Sequence, residues 1–406
     1  MPSGACAASG TGFRSNGTVR FKALFAIAFA VLIAGCASPG RHELLNVSSF
    51  PANPADISAE HDIFVATTRR QSTEQPRIVY GGDRSPNIAY ASVDITVPKV
   101  HETGKIERAK GRAQADPAKH FSARRVSFFK EQQQFAQAIN ADVVRHEGQR
   151  LLVFVHGFNN GFDDGVYRIT QIVHDTRYAG TPVLFSWASA AKTTGYLYDK
   201  ESANAARDDL EAMLRMLARS KAKSIDIIAH SMGTWVTMEA LRQLAITGDR
   251  DLGGKLGNVI LASPDIDVDV FKKQMQRYGR PDKPFIILLS DDDRALQLST
   301  FISGDKPRVG DYTDAADLAS LGVTVADLTQ AGSGDRLNHA KFADNPFLVE
   351  LLGEGLRMNA GLSAAESGDF GSPMSTIGKD IGQAVGSVAD IVITTPFKVL
   401  SIAAGG

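Results

Sequence analysis

The pentapeptide Ala229-His230-Ser231-Met232-Gly233 sets a serine hydroxyl between two small residues. It follows the apolar run Ile225, Ile227, Ile228 and precedes Trp235, Met238, Leu241 and Leu244, which recur at helical spacing. A strand that turns sharply through small-x-Ser-x-Gly into a helix pushes the serine Oγ out above the sheet, where it can act as a nucleophile. Small residues at 229 and 233 let strand and helix approach closely. Alanine at 229, where glycine is commoner, adds one methyl at a crowded point. A serine at such a junction can also be no more than a helix cap. The rest of the chain has to decide between the two.

A serine nucleophile needs a general base, a carboxylate behind that base, and N–H donors for the developing oxyanion. In α/β-hydrolases the chain order is serine, acid, histidine. After Ser231 the chain contains one histidine, His339, which therefore stands as the base. His230 adjoins the serine with its side chain directed away from the Oγ, and His156 precedes the serine in the chain. Two strand ends offer the acid: Asp265, and the run Asp291 to Asp293. Asp293 is favoured, since the later strand is the usual place, with Asp292 and Asp265 as alternatives; some of these carboxylates only cap the helix that starts near Ala295. For the oxyanion, the apolar run Arg150 to His156 leads into Gly157-Phe158-Asn159-Asn160-Gly161, whose glycines allow a close backbone approach. The N–H groups of Phe158 and Met232 are the expected donors.

The elements that must hold these residues alternate in type. Strand patterns at 150–156, 181–187, 225–228, 258–262 and 284–290 are separated by helical patterns, among them Val166-Ile169-Ile172-Val173 and Leu210-Met213-Leu214-Leu217. Tyr196, Tyr198 and Asp199 read as loop, Val323 to Leu328 as a short helix, and Asn345-Pro346 as the start of a helix through Leu356. Strand-like stretches at 61–69, 87–97 and 125–129, and a helix marked by Phe135, Ile139 and Val143, come earlier. The polar segment 104–116 reads as a loop with some disorder. The fold class is α/β: a doubly wound, mostly parallel sheet with an N-terminal strand extension. Ligands in such sheets sit at the carboxyl ends of the strands, where every polar cluster named above falls.

In its motifs the chain resembles a family of bacterial α/β-hydrolases of largely unknown function, esterase- or lipase-like in chemistry. The matching stretches are VFVHGFNNGF (153–162), FSW (185–187), Tyr198-Asp199, IIAHSMG (227–233), LASPDID (261–267), SDDDRAL (290–296) and NHAKFADNP (338–346). The likeness covers about 60–357. It implies a serine hydrolase with Ser231, His339 and an acid at Asp293, and implies little about substrate. Ala188 after Trp187, where the family pattern often has proline, departs from it.

The ends of the chain carry separate signals. Arg14, Arg20 and Lys22 precede an apolar run from Ala23 to Ala34, too short to span a bilayer, which closes in Ile33-Ala34-Gly35-Cys36. This resembles a lipobox, with Cys36 as the lipidated first residue of the mature chain. The expected organisation is a signal peptide at 1–35, a tether at 36–58, the hydrolase domain at 59–357 and a Gly/Ser-rich, partly apolar tail at 358–406. Alanine after the cysteine points to the outer membrane of the cell envelope. Lys+Arg 44 against Asp+Glu 45 gives a net charge of -1, which offers nucleic acid no basic surface. The two cysteines, Cys6 and Cys36, provide no thiolate metal site in the body. These features predict a membrane-anchored serine hydrolase that cleaves ester or related acyl bonds of a small or lipid-like substrate, with no metal or organic cofactor. The alternative is a silent scaffold or binding lipoprotein on the same fold.

Overall fold

β4 (Arg150–Val155) shows how the molecule is layered. It lies between parallel neighbours β5 (Thr181–Ser186) and β6 (Ser224–His230). Its side chains alternate between the two faces, and both faces are covered. Leu151, Val153 and Val155 enter one core with α1 (Gln132–Val143), α4 (Arg207–Ala218), α5 (Met232–Ile246) and α6 (Val268–Tyr278). Leu152 and Phe154 enter the other with α2 (Phe162–Asp175) and α10 (Pro346–Met358). Each fully buried aliphatic or aromatic side chain here contributes about 1.5–3 kcal/mol of transfer free energy. A continuous apolar strand flanked by amphipathic helices is thus the doubly wound α/β arrangement.

The computed structural model describes residues 1, 47–72, 79–111, 113–332, 335–358 and 390–403. The expected signal peptide, Met1 apart, and Cys36 lie outside the described residues, as does the segment 359–389. Among the described residues no helix is long and apolar enough to cross a membrane.

The strands form one eleven-stranded sheet in the order β11-β10-β9-β8-β7-β6-β4-β5-β1-β2-β3. The parallel centre includes β7 (Leu256–Ala262), β8 (Ile286–Leu289) and β9 (Thr324–Asp327). At one side β1 (Ile57–Gln71) joins β5 in parallel, then continues through β2 (Tyr80–Pro98) and β3 (Ser122–Phe129) antiparallel, which is the N-terminal extension.

Two sequence readings are corrected, for Val323 to Leu328 and for Tyr196 to Asp199. Val323 to Leu328 is not helical: its centre is β9, paired with β8 and β10, because a short apolar run takes its type from the open sheet edge beside it. Part of the tail packs on the domain. Its β10 (Asp390–Thr394) and β11 (Val399–Ala403) form a hairpin that extends the same sheet beyond β9, with Ile391 and Ile393 buried. Tyr196 and Asp199 lie in α3 (Tyr196–Ala205), not in a loop. The described residues of the polar segment 104–116 form a loop as expected, held to the domain by Arg108, which pairs with Asp163 at 2.5 Å and with Asp164 at the start of α2.

Candidate active site

Ser231 occupies the turn between β6 and α5 at φ 54, ψ -126. A non-glycine residue held there costs about 1–3 kcal/mol and persists only where its surroundings over-determine it. They do so here. Ser231 N–H donates to Ala262 O at 2.9 Å, and Ser231 O accepts from Thr234 Oγ1 at 2.6 Å and from Asp265 N–H at 3.3 Å. Gly233 lies against β4: an added Cβ would stand 2.6 Å from Val155 O and closer still to His156 O, both immovable backbone. Small residues are therefore obligatory at this end of the turn.

His339 sits in the loop before α9 (Lys341–Asp344). Its Nδ1 donates to Asp293 Oδ2 at 2.7 Å, and Asp293 is fully buried. The two oxygens of Asp293 divide the work. Oδ1 accepts from the N–H groups of Ala295 and Leu296, both at 3.0 Å, capping α7 (Arg294–Ile302), while Oδ2 faces the imidazole. The backbone of His339 is held at both ends: its N–H donates to Asp335, and its carbonyl accepts from His230 Nε2 at 3.1 Å and Ser263 Oγ at 3.0 Å. A carbonyl can only accept, so His230 carries its proton on Nε2. Burial, and then the neighbouring His339, keep His230 neutral by lowering its pKa well below 6.5. The residue beside the serine thus positions the loop that carries the later histidine.

Burial pushes the pKa of His339 down, but the charge and hydrogen bond of Asp293 outweigh it and leave the pKa raised above 6.5. The pair therefore stabilises the fold fully below the unfolded-state pKa of the imidazole, and that contribution is lost as pH rises through the folded-state pKa. A base must be neutral to take a proton. The expected kcat/KM profile rises with pH on a limb displaced above the ordinary histidine value; a limb at or below about 6.5 would contradict this environment.

The other candidate acids are engaged elsewhere. Asp265 accepts from Ser299 Oγ at 2.6 Å and Tyr196 OH at 3.0 Å and lies 3.4 Å from Arg308 Nε. Asp292 pairs with Lys341 Nζ at 2.7 Å and accepts from Asn338 Nδ2 at 2.8 Å, steadying the residue before His339.

The loop after β4 lies against the serine: a Cβ on Gly157 would stand 2.7 Å from Ser231 Cβ and 3.1 Å from His230 O. The next N–H groups are consumed, Asn159 by Asp199, Asn160 by Ser189 Oγ and Gly161 by Asp164. Among the described residues the Phe158 and Met232 N–H groups have no acceptor in the chain, the condition an oxyanion donor must meet. Gly157→Ala is expected to push the loop away from Ser231 and lower kcat by roughly 10²-fold or more, with the circular dichroism spectrum intact. An unchanged kcat in a folded variant would place the donors elsewhere.

Behind this loop lies a buried network that motif reading passed over. The Arg69 guanidinium, fully buried on β1, donates to Ser186 Oγ at 2.9 Å, Ser189 O at 2.8 Å and Asn160 O at 2.7 Å. His156 stacks on Trp187 at 4.9 Å between ring centres, and burial followed by Arg69 pushes its pKa down to about 3. Its Nδ1–H donates to Gly157 O at 2.9 Å, and Trp187 Nε1 donates to its carbonyl at 2.7 Å. Asp199 holds Ala190 N–H at 2.7 Å and Ser189 Oγ at 2.5 Å as well as Asn159. The only sequence signal for Arg69 was an arginine ending an apolar strand.

A parallel-centred sheet with a strained serine after its central strand, and a buried Asp–His pair at neighbouring strand ends, defines an α/β-hydrolase. The chain belongs to the family described as alpha/beta hydrolase of unknown function (DUF900), whose model matches residues 131–355. No curated protein matches it. Among solved structures it is similar to a chain from a structural analysis of two fungal esterases from Rhizomucor miehei, at 12% identity, with 83% of this chain and 96% of that chain covered. The TM-score of 0.34 is too low for that likeness to carry an argument.

Proposed function

We propose that the protein is a serine hydrolase that cleaves ester or related acyl bonds through an acyl-enzyme. The observation that carries this reading is the occurrence together of Ser231 in a turn at φ 54 and of a later histidine bound to a buried carboxylate at 2.7 Å. Ser231 Oγ attacks the substrate carbonyl and His339 takes its proton. Asp293 fixes the Nδ1–H tautomer and stabilises the imidazolium that forms. The N–H groups of Phe158 and Met232 hold the oxyanion, and His339 returns the proton to the leaving group. Water, deprotonated by the same imidazole, then releases the acid. A fluorophosphonate probe tests the reading: it should label the folded protein once, at Ser231. Failure of the folded protein to label would favour a silent scaffold instead.

The localisation we propose is the cell envelope, with the chain anchored by lipid on Cys36 and facing a small or lipid-like acyl substrate. The support is the lipobox-like Ile33-Ala34-Gly35-Cys36 after an apolar run. Cys36→Ala is expected to abolish palmitate labelling and release the protein from the membrane fraction; a variant still carrying labelled palmitate overturns the anchor.

A further inference from the structure

Far from Ser231, at the C-terminal end of α2, three histidines and two carboxylates converge. His61 comes from β1, His101 and Glu107 from the connection after β2, and His174 and Asp175 from the last turn of α2. One ligand atom from each of His101, His174 and Asp175 lies within 4.8 Å of the others. We propose that these three residues bind a zinc ion.

The donor set suits zinc. Two imidazoles and one carboxylate are the borderline nitrogen–oxygen combination that zinc takes, whereas calcium and magnesium require all-oxygen shells. The ligand atoms, all within 4.8 Å of one another, reach the geometry of a zinc site by small shifts of side chains. Zinc ligands at about 2.0–2.2 Å in tetrahedral geometry stand about 3.3–3.5 Å apart, and His101 Nε2 is 2.7 Å from Asp175 Oδ1, so this pair opens by several tenths of an ångström. A water completes the four-coordinate shell.

Each ligand also has an outer partner that fixes its orientation, as metal-binding imidazoles and carboxylates characteristically do. His101 Nδ1 meets Glu107 Oε2 at 2.8 Å. With His174 ligating through Nε2, its Nδ1–H donates to His61 Nε2 at 3.2 Å. The second oxygen of Asp175 accepts from Gly104 N–H at 2.8 Å and Gln171 Nε2 at 2.6 Å. Charge balance points the same way. The Asp175 side chain is 1% exposed and Glu107 20% exposed, and a dication would offset the charge of both carboxylates. The negative end of the α2 dipole adds to the attraction.

The ion ties the chain after β2 to the end of a helix whose start, Gly161, lies beside the oxyanion loop. The fourteen residues of α2 separate the two by about 20 Å. The role is structural, and zinc removal lowers thermal stability without touching the Ser231 chemistry.

The test uses the full-length chain stripped with chelator and titrated with zinc chloride, reading stoichiometry by elemental analysis and Tm by calorimetry. One equivalent should bind and raise Tm. Cobalt in its place should show the intense visible bands of a tetrahedral site. X-ray absorption of zinc-loaded wild-type protein should show two imidazoles within a four-coordinate nitrogen–oxygen shell, a readout that needs no variant. His174→Ala should lose the stoichiometric ion, and His61→Ala should weaken binding about 10–100-fold. His339→Ala should keep the ion, which separates this cluster from the serine site. Stripped wild-type protein that takes up no zinc, with Tm unmoved, overturns the site and leaves an ion-pair cluster only. Zinc uptake that survives in His174→Ala, or is lost in His339→Ala, overturns it as well.

Discussion

Ser231→Ala and His339→Ala should each abolish hydrolysis of a p-nitrophenyl ester almost completely, by roughly 10⁶-fold where triad members act as a unit. The double variant should be little worse than either, because the base has nothing to do without the hydroxyl. The structure adds a stability arm to this expectation. Ser231 is held at φ 54 by backbone hydrogen bonds with Ala262 and Asp265, at and just beyond the end of β7, and by Thr234 of its own helix, so its strain belongs to the fold and not to bound substrate. Glycine adopts that backbone without a Cβ penalty. Ser231→Gly should therefore be as inactive as the alanine variant yet more stable, by about 1 kcal/mol, in calorimetry. Loss of activity with a raised Tm is what a residue kept for chemistry predicts. Retention of a tenth or more of wild-type kcat/KM in Ser231→Ala would remove the serine from the mechanism.

The legible part of the site was the part encoded locally. The elbow declares itself because strand, turn and helix are contiguous and the turn demands small residues; the clash of a Cβ at Gly233 with the carbonyls of Val155 and His156 at the end of β4 is the physical form of that demand. His339 was legible because no other histidine follows the serine. What stayed hidden depends on contacts between distant segments. The Arg69 side chain reaches the loops at 160 and 189 only because β1 enters the sheet beside β5, an order no local pattern reveals. His230 shows its use only when the loop at 339 folds back over it. A short apolar run failed for the same reason: Val323 to Leu328 became a strand because a sheet edge was there to receive it. The histidine cluster, drawn from residues 61, 101 and 174, has no sequence spacing at all to announce it.

Among Asp265, Asp292 and Asp293 the sequence left a real choice, and Asn substitutions are expected to separate them. In Asp293→Asn two demands collide. The present Oδ1 accepts two backbone N–H groups at the start of α7, and Oδ2 accepts from His339 Nδ1. An amide has one oxygen. Turned so that the oxygen keeps the two caps, its NH₂ faces Nδ1, which then has to accept; the proton moves to Nε2 and His339 can no longer take one from Ser231. Turned the other way, the NH₂ confronts two N–H donors inside a fully buried site, leaving unpaired groups at about 1–3 kcal/mol each. The first orientation wins, so the fold survives with the wrong tautomer. Turnover should fall on the order of 10⁴-fold by the serine-protease precedent. The acid limb of any residual activity should drop to lower pH, because the main influence raising the His339 pKa is gone. Asp292→Asn loosens Lys341 and Asn338, and Asp265→Asn loosens Ser299, Tyr196 and Arg308. Each should cost about 1 kcal/mol per hydrogen bond weakened, a tenfold scale and not a ten-thousandfold one. Measured on one generic ester with folded protein, the ranking decides the matter. Should Asp265→Asn prove the most damaging, the 2.7 Å contact between Asp293 and His339 is a structural cap, and the catalytic acid belongs to the preceding strand.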